Sequence, residues 1–160
     1  MEDINEIQNL GIADEGKQYI VVSLGAEQYG IDIKYIDNIV RMSRITRIPS
    51  AQNYFKGVIN LRGEVIPVMS LRLKFDLEPD EYSNSTRIII IKPESQSAIG
   101  IIVDEVREVI TLSEDEIDKP DASDDNVDVN KKYLSGVGKT QEGLVTLLSI
   151  TSVINEKENA

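Results

Sequence analysis

The hydrophobic residues of this 160-residue chain fall into short runs separated by polar stretches. Each run is five to eight residues long, rich in isoleucine and valine, and bounded by Gly, Pro, Asn, Asp or Ser, which is typical of β-strands. The run at 88–91 is apolar on both faces, which indicates a strand buried on two sides. Strands are therefore predicted at 18–24, 57–61, 64–71, 86–92, 98–104, 105–112, 133–138 and 143–149.

A few short helices and tight turns are predicted between these strands. Segment 34–40 places Ile36, Ile39 and Val40 at i, i+3 and i+4, which gives one apolar helical stripe. Segments 71–75 and 151–158 are further short helices, the second with Thr151 as its cap. Glycine at 25–26 and 62–63 indicates tight hairpin turns.

An internal repeat organises the predicted elements. At an offset of 70 residues, YGIDI at 29–33 aligns with IGIIV at 99–103, and Ile36, Ile39 and Val40 align with Val106, Val109 and Ile110. At an offset of 79, residues 57–58 align with 136–137, and VIPVMSL aligns with LVTLLSI. Chance matching of Ile and Val is the alternative, but the co-linear glycines argue against it. Two units with many short strands predict two small closed barrels, because closure removes exposed sheet edges.

The charge of the chain is concentrated in two places. The formal net charge is −11, of which residues 1–16 contribute −5 and residues 113–130 contribute −7, while 17–112 are balanced. The second stretch is either a solvated loop or a divalent-cation site built from Asp121, Asp124, Asp125 and Asp128. It lacks the glycine and the terminal glutamate of an EF-hand loop. The absence of a basic stripe disfavours nucleic acid as a partner.

Composition also narrows the chemistry. The chain has no histidine, cysteine or tryptophan, so it lacks the usual general base, thiolate nucleophiles and the commonest transition-metal ligands. An acid/base pair among Asp32, Asp37, Asp104 and Glu105 is conceivable, but carboxylates are too common here to indicate catalysis without geometry. No glycine-rich phosphate loop is present. We therefore expect a binding module that is not an enzyme and uses no cofactor or metal.

The N-terminus and the hydrophobic runs also bear on location. The first residues are acidic, where a signal peptide would be basic, and they contain no continuous apolar stretch. No window approaches the ~18 consecutive apolar residues of a spanning helix. We expect a cytoplasmic protein that does not insert into a membrane.

The most distinctive stretch is FKGVINLRGEVIPVMSLRLKF at 55–75. Arg62 lies at a turn between two apolar strands, and Pro67 marks an edge or a bulge because it cannot donate to a ladder. Here the sequence resembles the CheW family of bacterial chemotaxis coupling proteins. The matching pieces are 27–33 (EQYGIDI), 46–49 (TRIP), 56–68 (KGVINLRGEVIPV), Leu71, Arg72, Phe75, 100–104 (GIIVD) and 133–138 (YLSGVG).

The resemblance implies an all-β fold of two five-stranded SH3-like or OB-like barrels with short helices. In the family the two barrels exchange segments. The expected division is an acidic tail at 1–16, a first barrel at 17–80, a second barrel at 81–155, and a C-terminal tail at 156–160.

The resemblance also implies a non-catalytic scaffold. CheW-like proteins link the regulatory domain of the histidine kinase CheA to the cytoplasmic tips of chemoreceptor helical hairpins. We expect a free monomer that is recruited to receptor arrays at the inner face of the membrane. One alternative is a β-barrel module that binds a ligand or peptide without a role in chemotaxis. Another is a carboxylate-dependent hydrolase.

Candidate contact residues follow from the same resemblance. Four of the receptor candidates named below have an alternative, purely structural role. It is ordinary core packing for Ile36 and Ile39, close backbone approach for Gly57, and an intramolecular salt bridge for Arg62. The kinase contact is expected at Arg44, Ile45, Thr46 and Arg47. The receptor contact is expected at Ile36, Asn38, Ile39, Gly57, Arg62, Arg87 and Gly100.

The chain departs from the family pattern at two positions. Asn38 stands where many relatives carry a glutamate that could pair with the turn arginine, so such a pairing must shift, for example to Asp37, or be lost. Ser70 replaces the aspartate that is common in the family's PVxDLR motif. This replacement leaves open which group makes the contacts of that carboxylate.

Overall fold

The computed structural model describes residues 16–49, 52–93, 97–119 and 133–154, and these form mainly strands in two sheets with few short helices. The expected mainly-β fold is therefore confirmed. Two 3₁₀ turns cover Ile33–Tyr35 and Glu114–Glu116, and helices α1 and α2 cover Leu71–Lys74 and Ile150–Ile154. The strands are β1 (Lys17–Leu24), β2 (Glu27–Asp32), β3 (Ile36–Arg41), β4 (Phe55–Leu61), β5 (Glu64–Ser70), β6 (Arg87–Ile91), β7 (Ile99–Val103), β8 (Glu105–Leu112), β9 (Ile117–Asp118), β10 (Leu134–Thr140) and β11 (Gly143–Leu148).

The two sheets take their strands from both halves of the chain. One sheet has six strands in the order β8-β1-β2-β11-β10-β9, and the other has five in the order β3-β6-β7-β5-β4. Strands β1 and β2 thus leave the first half and join β8 to β11, while β6 and β7 join β3 to β5. A division of the chain near residue 80 therefore separates the two sequence repeats, but it does not separate the two sheets, because each sheet contains strands from both sides of it. The domain bounds stay a prediction.

The predicted internal repeat is visible in the topology. Strands β2, β3, β4 and β5 align with β7, β8, β10 and β11 at the offsets of the sequence repeat, and α1 aligns with α2. Strand β1 likewise aligns with β6, so the first five strands of the six-stranded sheet follow the order of the five-stranded sheet, and β9 is the additional strand. Each sheet has one parallel pair, β2 with β11 and β5 with β7. Register shifts also fall at equivalent points, before Gly57 and before Gly136.

Short connections show that both sheets are curled. The chain leaves β3 at one edge of the five-stranded sheet after Arg41, and Thr46 then bridges Val58 on the outer side of β4. Five residues span at most about 18 Å, whereas five strand spacings in a flat sheet cover about 24 Å. The sheet must therefore bend until its edges approach each other. The step from Leu112 of β8 to Ile117 of β9 has the same length and crosses the six-stranded sheet in the same way.

Three hydrophobic clusters follow from this curvature. One inner core belongs to the five-stranded sheet and includes Ile88 and Ile90, and a second belongs to the six-stranded sheet and includes Tyr19 and Val21. The largest cluster, which we call the shared core, contains residues of both sheets. Because side chains alternate along a strand, the neighbours of these inner-core residues, among them Ile89, point into the shared core. The predicted burial of 88–91 on two sides is confirmed.

The predicted helix at 34–40 is wrong, because this segment forms a 3₁₀ turn followed by strand β3. A register shift between Ile36 and Asn38 marks a β-bulge against β6. A bulge adds one residue to the strand, so Ile36 and Ile39 both pack against the shared core although they are three residues apart. The bulge therefore gives Ile36 and Ile39, on one face of a strand, the three-residue spacing that is otherwise typical of one face of a helix.

The helix predicted at 71–75 exists in shorter form, and the helix predicted at 151–158 is present as far as the described residues extend. Helix α1 ends before Phe75, and Ser70 caps its start by accepting a hydrogen bond from the Leu73 backbone N–H. Helix α2 begins at Ile150, so Thr151 lies inside the helix and does not cap it. The turns predicted at 25–26 and 62–63 connect β1 to β2 and β4 to β5.

The acidic stretch at 113–130 is described only in its first part. Ser113 and Glu116 form a reciprocal capping box around the second 3₁₀ turn, and β9 follows. The four aspartates of the hypothetical cation site, and the tails predicted at 1–16 and 156–160 except for Gly16, lie outside the described residues.

Gly57 allows the segment after β3 to approach β4 closely. A Cβ atom at this position would lie 2.1 Å from the carbonyl oxygen of Thr46, and φ is +140°. Gly136 has the same place in the other sheet, where a Cβ would lie 3.0 Å from the Asp118 oxygen. Close backbone approach at Gly57 is therefore what the geometry shows.

We predict that Gly57→Ala lowers the free energy of unfolding by at least about 2 kcal/mol, because the overlap with Thr46 adds to backbone strain. Gly63→Ala is the matched control, since φ is +84° there but no atom lies within 4 Å of the added Cβ. The control should cost only about 1 kcal/mol. Urea denaturation of both variants measures the difference, and equal losses would contradict the role given to the close approach.

Candidate functional site

The residues expected to contact a receptor all lie on the five-stranded sheet or its hairpin. Strand register places Ile36 and the Arg62 turn towards one end of this sheet and Arg87 towards the other, where it pairs with Arg41. Gly100 is buried, and a Cβ added there would lie 2.7 Å from Ile88 Cγ2. The structure thus brings these residues to one sheet but not into one continuous patch, and their contact role stays a prediction.

Strand β3 lies at the edge of the five-stranded sheet. Its Ile36 and Ile39 pack against the shared core, and we call this border between the two sheets the seam. Ile36 and Ile39 are both partly buried and pack against the shared core. Core packing therefore accounts for one side of each residue. Their remaining exposed surface lies beside the seam.

Arg62 occupies an unusual backbone position at the tip of the β4–β5 hairpin. Its φ is +54° and that of Gly63 is +84°, and the Gly63 N–H donates to Asn60 Oδ1 at 3.0 Å. Two positive φ values identify a primed hairpin turn, in which Asn or Gly is preferred at the first central position. Arginine is therefore not the residue that this turn itself favours.

The Arg62 side chain is exposed, and within the described part of the chain it makes no ion pair. The alternative of an intramolecular salt bridge is therefore not supported there. Asn38 Oδ1 instead accepts from the Ile39 N–H at 2.8 Å, and Asp37 is exposed without an ion pair among the described residues. The pairing that relatives could make between positions 38 and 62 is lost and has not shifted to Asp37.

Asp80 supplies the carboxylate that the family motif would place at position 70. Ser70 is fully buried, caps α1, and donates its hydroxyl proton to Asp80 Oδ2. Asp80 follows α1 in the chain, and its side chain reaches Ser70 at the start of that helix. Ser70 and Asp80 together therefore restore a carboxylate near the start of α1.

An ion pair that the sequence did not reveal joins the two sheets. Arg72 on α1 donates through Nε to Asp104 Oδ1 at 2.9 Å and through Nη2 to Oδ2 at 2.5 Å. Asp104 lies where the chain passes from β7 to β8, and its Oδ2 also accepts from the Gly25 N–H at 2.7 Å. The Asp104 N–H donates to the Ser23 carbonyl at 3.0 Å. We call Arg72, Asp104 and Gly25 the intersheet latch.

The latch changes the pKa values of its charged members. The hydrogen bond from Arg72 lowers the pKa of Asp104, with a further contribution from the Gly25 N–H, against the opposing effect of burial. The same bond raises the pKa of Arg72. Asp104 is therefore committed to a structural ion pair, and Asp32 accepts from the Lys34 N–H at the 3₁₀ turn.

A groove of about 1050 Å³ lies beside the outer side of β4. It is lined by parts of 42–49 and 52–56 together with Tyr82, and we call it the basic groove. Of the residues expected to contact a kinase, Arg44, Ile45 and Arg47 line it. Thr46 lies between them and exchanges backbone hydrogen bonds of 2.8 and 2.9 Å with Val58.

Neither a metal site nor a membrane-spanning helix is found in the described ranges. No group of three or more His, Cys, Asp or Glu side chains there is placed to hold a metal ion. No helix in the same ranges is long and apolar enough to cross a membrane.

Comparison with known proteins identifies the family. The model of the CheW-like domain matches residues 18–158. The chain belongs to the CheW family. The chemotaxis protein CheW of Klebsiella aerogenes is 32% identical over 160 residues, covering 100% of this chain and 95% of that protein. CheW of Helicobacter pylori is 37% identical over 144 residues, covering 89% and 84%.

A solved CheW structure has the same fold. The crystal structure of the scaffolding protein TtCheW from Thermoanaerobacter tengcongensis matches with a TM-score of 0.79 and 31% identity, covering 91% of this chain and 92% of that one. The expected resemblance to CheW and the double-barrel fold are confirmed. The alternative of a ligand-binding barrel outside chemotaxis is not favoured.

We predict that Asp104→Asn lowers the free energy of unfolding at pH 7 by about 2–3 kcal/mol, because it removes a charge-assisted, partly buried pair. Since the pKa of Asp104 is lowered in the folded protein, its stabilisation is complete above the ordinary aspartate pKa of about 3.9. The stabilisation is lost as pH falls through the lower folded value. The difference between the two proteins should therefore stay constant from pH 7 to about 5 and shrink below about 4.

Urea denaturation across this pH range measures the effect. Glu105→Gln is the matched control, since Glu105 is the next residue and pairs with Arg107 at 3.8 Å on the exposed surface. The control should change stability by less than about 0.5 kcal/mol at every pH. A deficit of Asp104→Asn that persists unchanged at the lowest pH would show that the charge of Asp104 is not what stabilises the fold.

Proposed function

We propose that this chain is a non-catalytic adaptor of bacterial chemotaxis that couples the histidine kinase CheA to the cytoplasmic tips of chemoreceptors. The observation that carries the proposal is the match of the CheW-like domain over residues 18–158. An adaptor role in chemotaxis follows from membership of this family. The identities of the two partners and the absence of catalysis belong to the proposal.

The double-barrel architecture supports a scaffold with two separate contact regions. The kinase meets the segment with Arg44, Ile45, Thr46 and Arg47, which lies on the outer side of β4. A partner with the same barrel fold could dock there in a pseudo-symmetric arrangement. The receptor meets the other region, at the seam beside Ile36 and Ile39, as a helix in a groove.

Arg62 supports the receptor contact most directly. The guanidinium is exposed at a hairpin tip, and the backbone adopts a conformation that arginine does not favour. An arginine free of internal ion pairs can bind a carboxylate with two hydrogen bonds. We therefore assign the Arg62 side chain to an acidic residue of the receptor tip. The adaptor is a cytoplasmic monomer when free and joins the arrays through its partners.

Binding of the purified full chain to CheA and to a receptor cytoplasmic fragment tests the proposal. Pull-down experiments with each partner separately, and then with both, should show two independent contacts and a ternary complex. Absence of binding to both partners would overturn the proposed function. Binding to one alone would reject coupling.

We predict that Arg62→Asn weakens receptor binding roughly tenfold while leaving the fold intact or up to about 1 kcal/mol more stable. Asparagine accepts the left-handed conformation more readily than arginine, so the effects on binding and stability should be opposite. Lys139→Ala is the control, because Lys139 is an exposed cation at the equivalent hairpin and pairs with Asp118. Isothermal titration with the receptor fragment and thermal unfolding measure both quantities. A large fall in melting temperature for Arg62→Asn would show that Arg62 is structural.

A further inference from the structure

The basic groove is positively charged, although the protein as a whole is acidic. The chain carries a formal net charge of −11, yet the groove is lined by Arg44, Arg47 and Lys56 and by no aspartate or glutamate. Within the part of the chain that the structure describes, none of these three cations forms an ion pair. No described side chain therefore neutralises these three charges.

The groove also exposes apolar surface. Ile48 and Tyr82 are large hydrophobic residues with exposures of 50% and 52%, and both line the groove. Its floor is held in place, because Ile45 packs against the inner core of the five-stranded sheet and Phe55 packs against the shared core. Exposed apolar side chains on a fixed floor, beside cations that no described acid neutralises, are typical of a surface that binds another protein segment.

The wall that carries Arg44 and Arg47 is fixed to the barrel. The backbone of Thr46, between them, forms two hydrogen bonds with Val58, and the close approach at Gly57 permits this contact. The two guanidinium groups are therefore presented by anchored backbone. A preorganised surface loses less conformational entropy when a partner binds.

We propose that the basic groove is the docking site for an acidic segment of a partner protein that also carries apolar anchor residues. Carboxylates of the segment pair with Arg44, Arg47 and Lys56, and its apolar side chains cover Ile48 and Tyr82. The charge complementarity between these cations and an acidic segment selects this occupant over a neutral or basic one. The proposal rests on the proposed coupling function, since the groove contains residues assigned to the kinase contact.

A synthetic peptide provides a defined probe. It combines glutamates with leucines at helical spacing and carries a fluorescent label, and a second peptide has glutamine in place of every glutamate. Fluorescence anisotropy with the full chain should show binding of the acidic peptide that weakens as salt is raised, and much weaker binding of the neutral peptide. No binding of the acidic peptide, or equal binding of both, would overturn the proposal.

Charge reversal locates the site. Arg44→Glu combined with Arg47→Glu should weaken binding of the acidic peptide roughly tenfold or more. The matched control is Arg107→Glu combined with Lys139→Glu, two exposed cations of the six-stranded sheet, which should bind like the wild type. Equal losses in both double variants would show a nonspecific charge effect and would overturn the assignment to the groove. Circular dichroism of all variants checks that they are folded.

Two other occupants give distinct results. The N-terminal acids are Glu2, Asp3, Glu6, Asp14 and Glu15. If the peptide binds only after all five are replaced by their amides in the full chain, the groove holds the chain's own N-terminal segment, and the partner assignment is wrong. If the groove variants instead abolish a concentration-dependent self-association seen by sedimentation, the occupant is a second copy, and the assignment is equally wrong.

The same variants separate this proposal from the proposed function. Failure of peptide binding, with CheA and receptor pull-downs intact, overturns the groove assignment and leaves coupling in place. Failure of both pull-downs, with peptide binding intact, overturns coupling and shows a peptide-binding barrel. Loss of CheA binding in the variant that combines Arg44→Glu with Arg47→Glu, but not in the control double variant, supports both the groove assignment and the coupling function.

Discussion

The exchange of strands between the two sheets is the constraint on which the rest of the structure depends. Strands β1, β6 and β7 have both faces buried, one in an inner core and one in the shared core. Neither sheet can move as a unit without exposing these faces, so the two barrels form one body. The seam beside β3 is consequently defined by the core, and the intersheet latch reinforces it where the chain crosses between the sheets.

The hydrophobic pattern predicted most of the strands because isoleucine and valine runs report directly on burial in a sheet. The repeat predicted two barrels, and equivalent glycines permit equivalent close approaches in both. The pattern failed at 34–40, where a bulge placed two core residues three positions apart. It could not predict the Arg72–Asp104 pair, because nothing local in the sequence marks a contact between residues 32 positions apart.

The candidate site was likewise predictable from the sequence only in part. Arg62 could be found from its position in a distinctive turn, but its positive φ and the lack of an ion pair with any described residue are visible only in three dimensions. The basic groove could be found only in part, because Tyr82 reaches it from a segment that follows α1. Ser70 illustrates a different limit: its replacement of an aspartate was visible in the sequence, whereas the compensating carboxylate of Asp80 was not.

The strand exchange also has a consequence for the synthesis of the protein. A ribosome releases the chain from its N-terminus, so β1 and β2 emerge long before β8 and β11, the strands with which they pair. Their hairpin must wait with an unpaired edge while the entire five-stranded sheet is being made, and unpaired edges invite association with other chains. Such distant pairings also make folding slow. The first strands to be made are therefore among the last to complete their pairing, and the edges of their hairpin stay open to other chains until β8 and β11 have emerged.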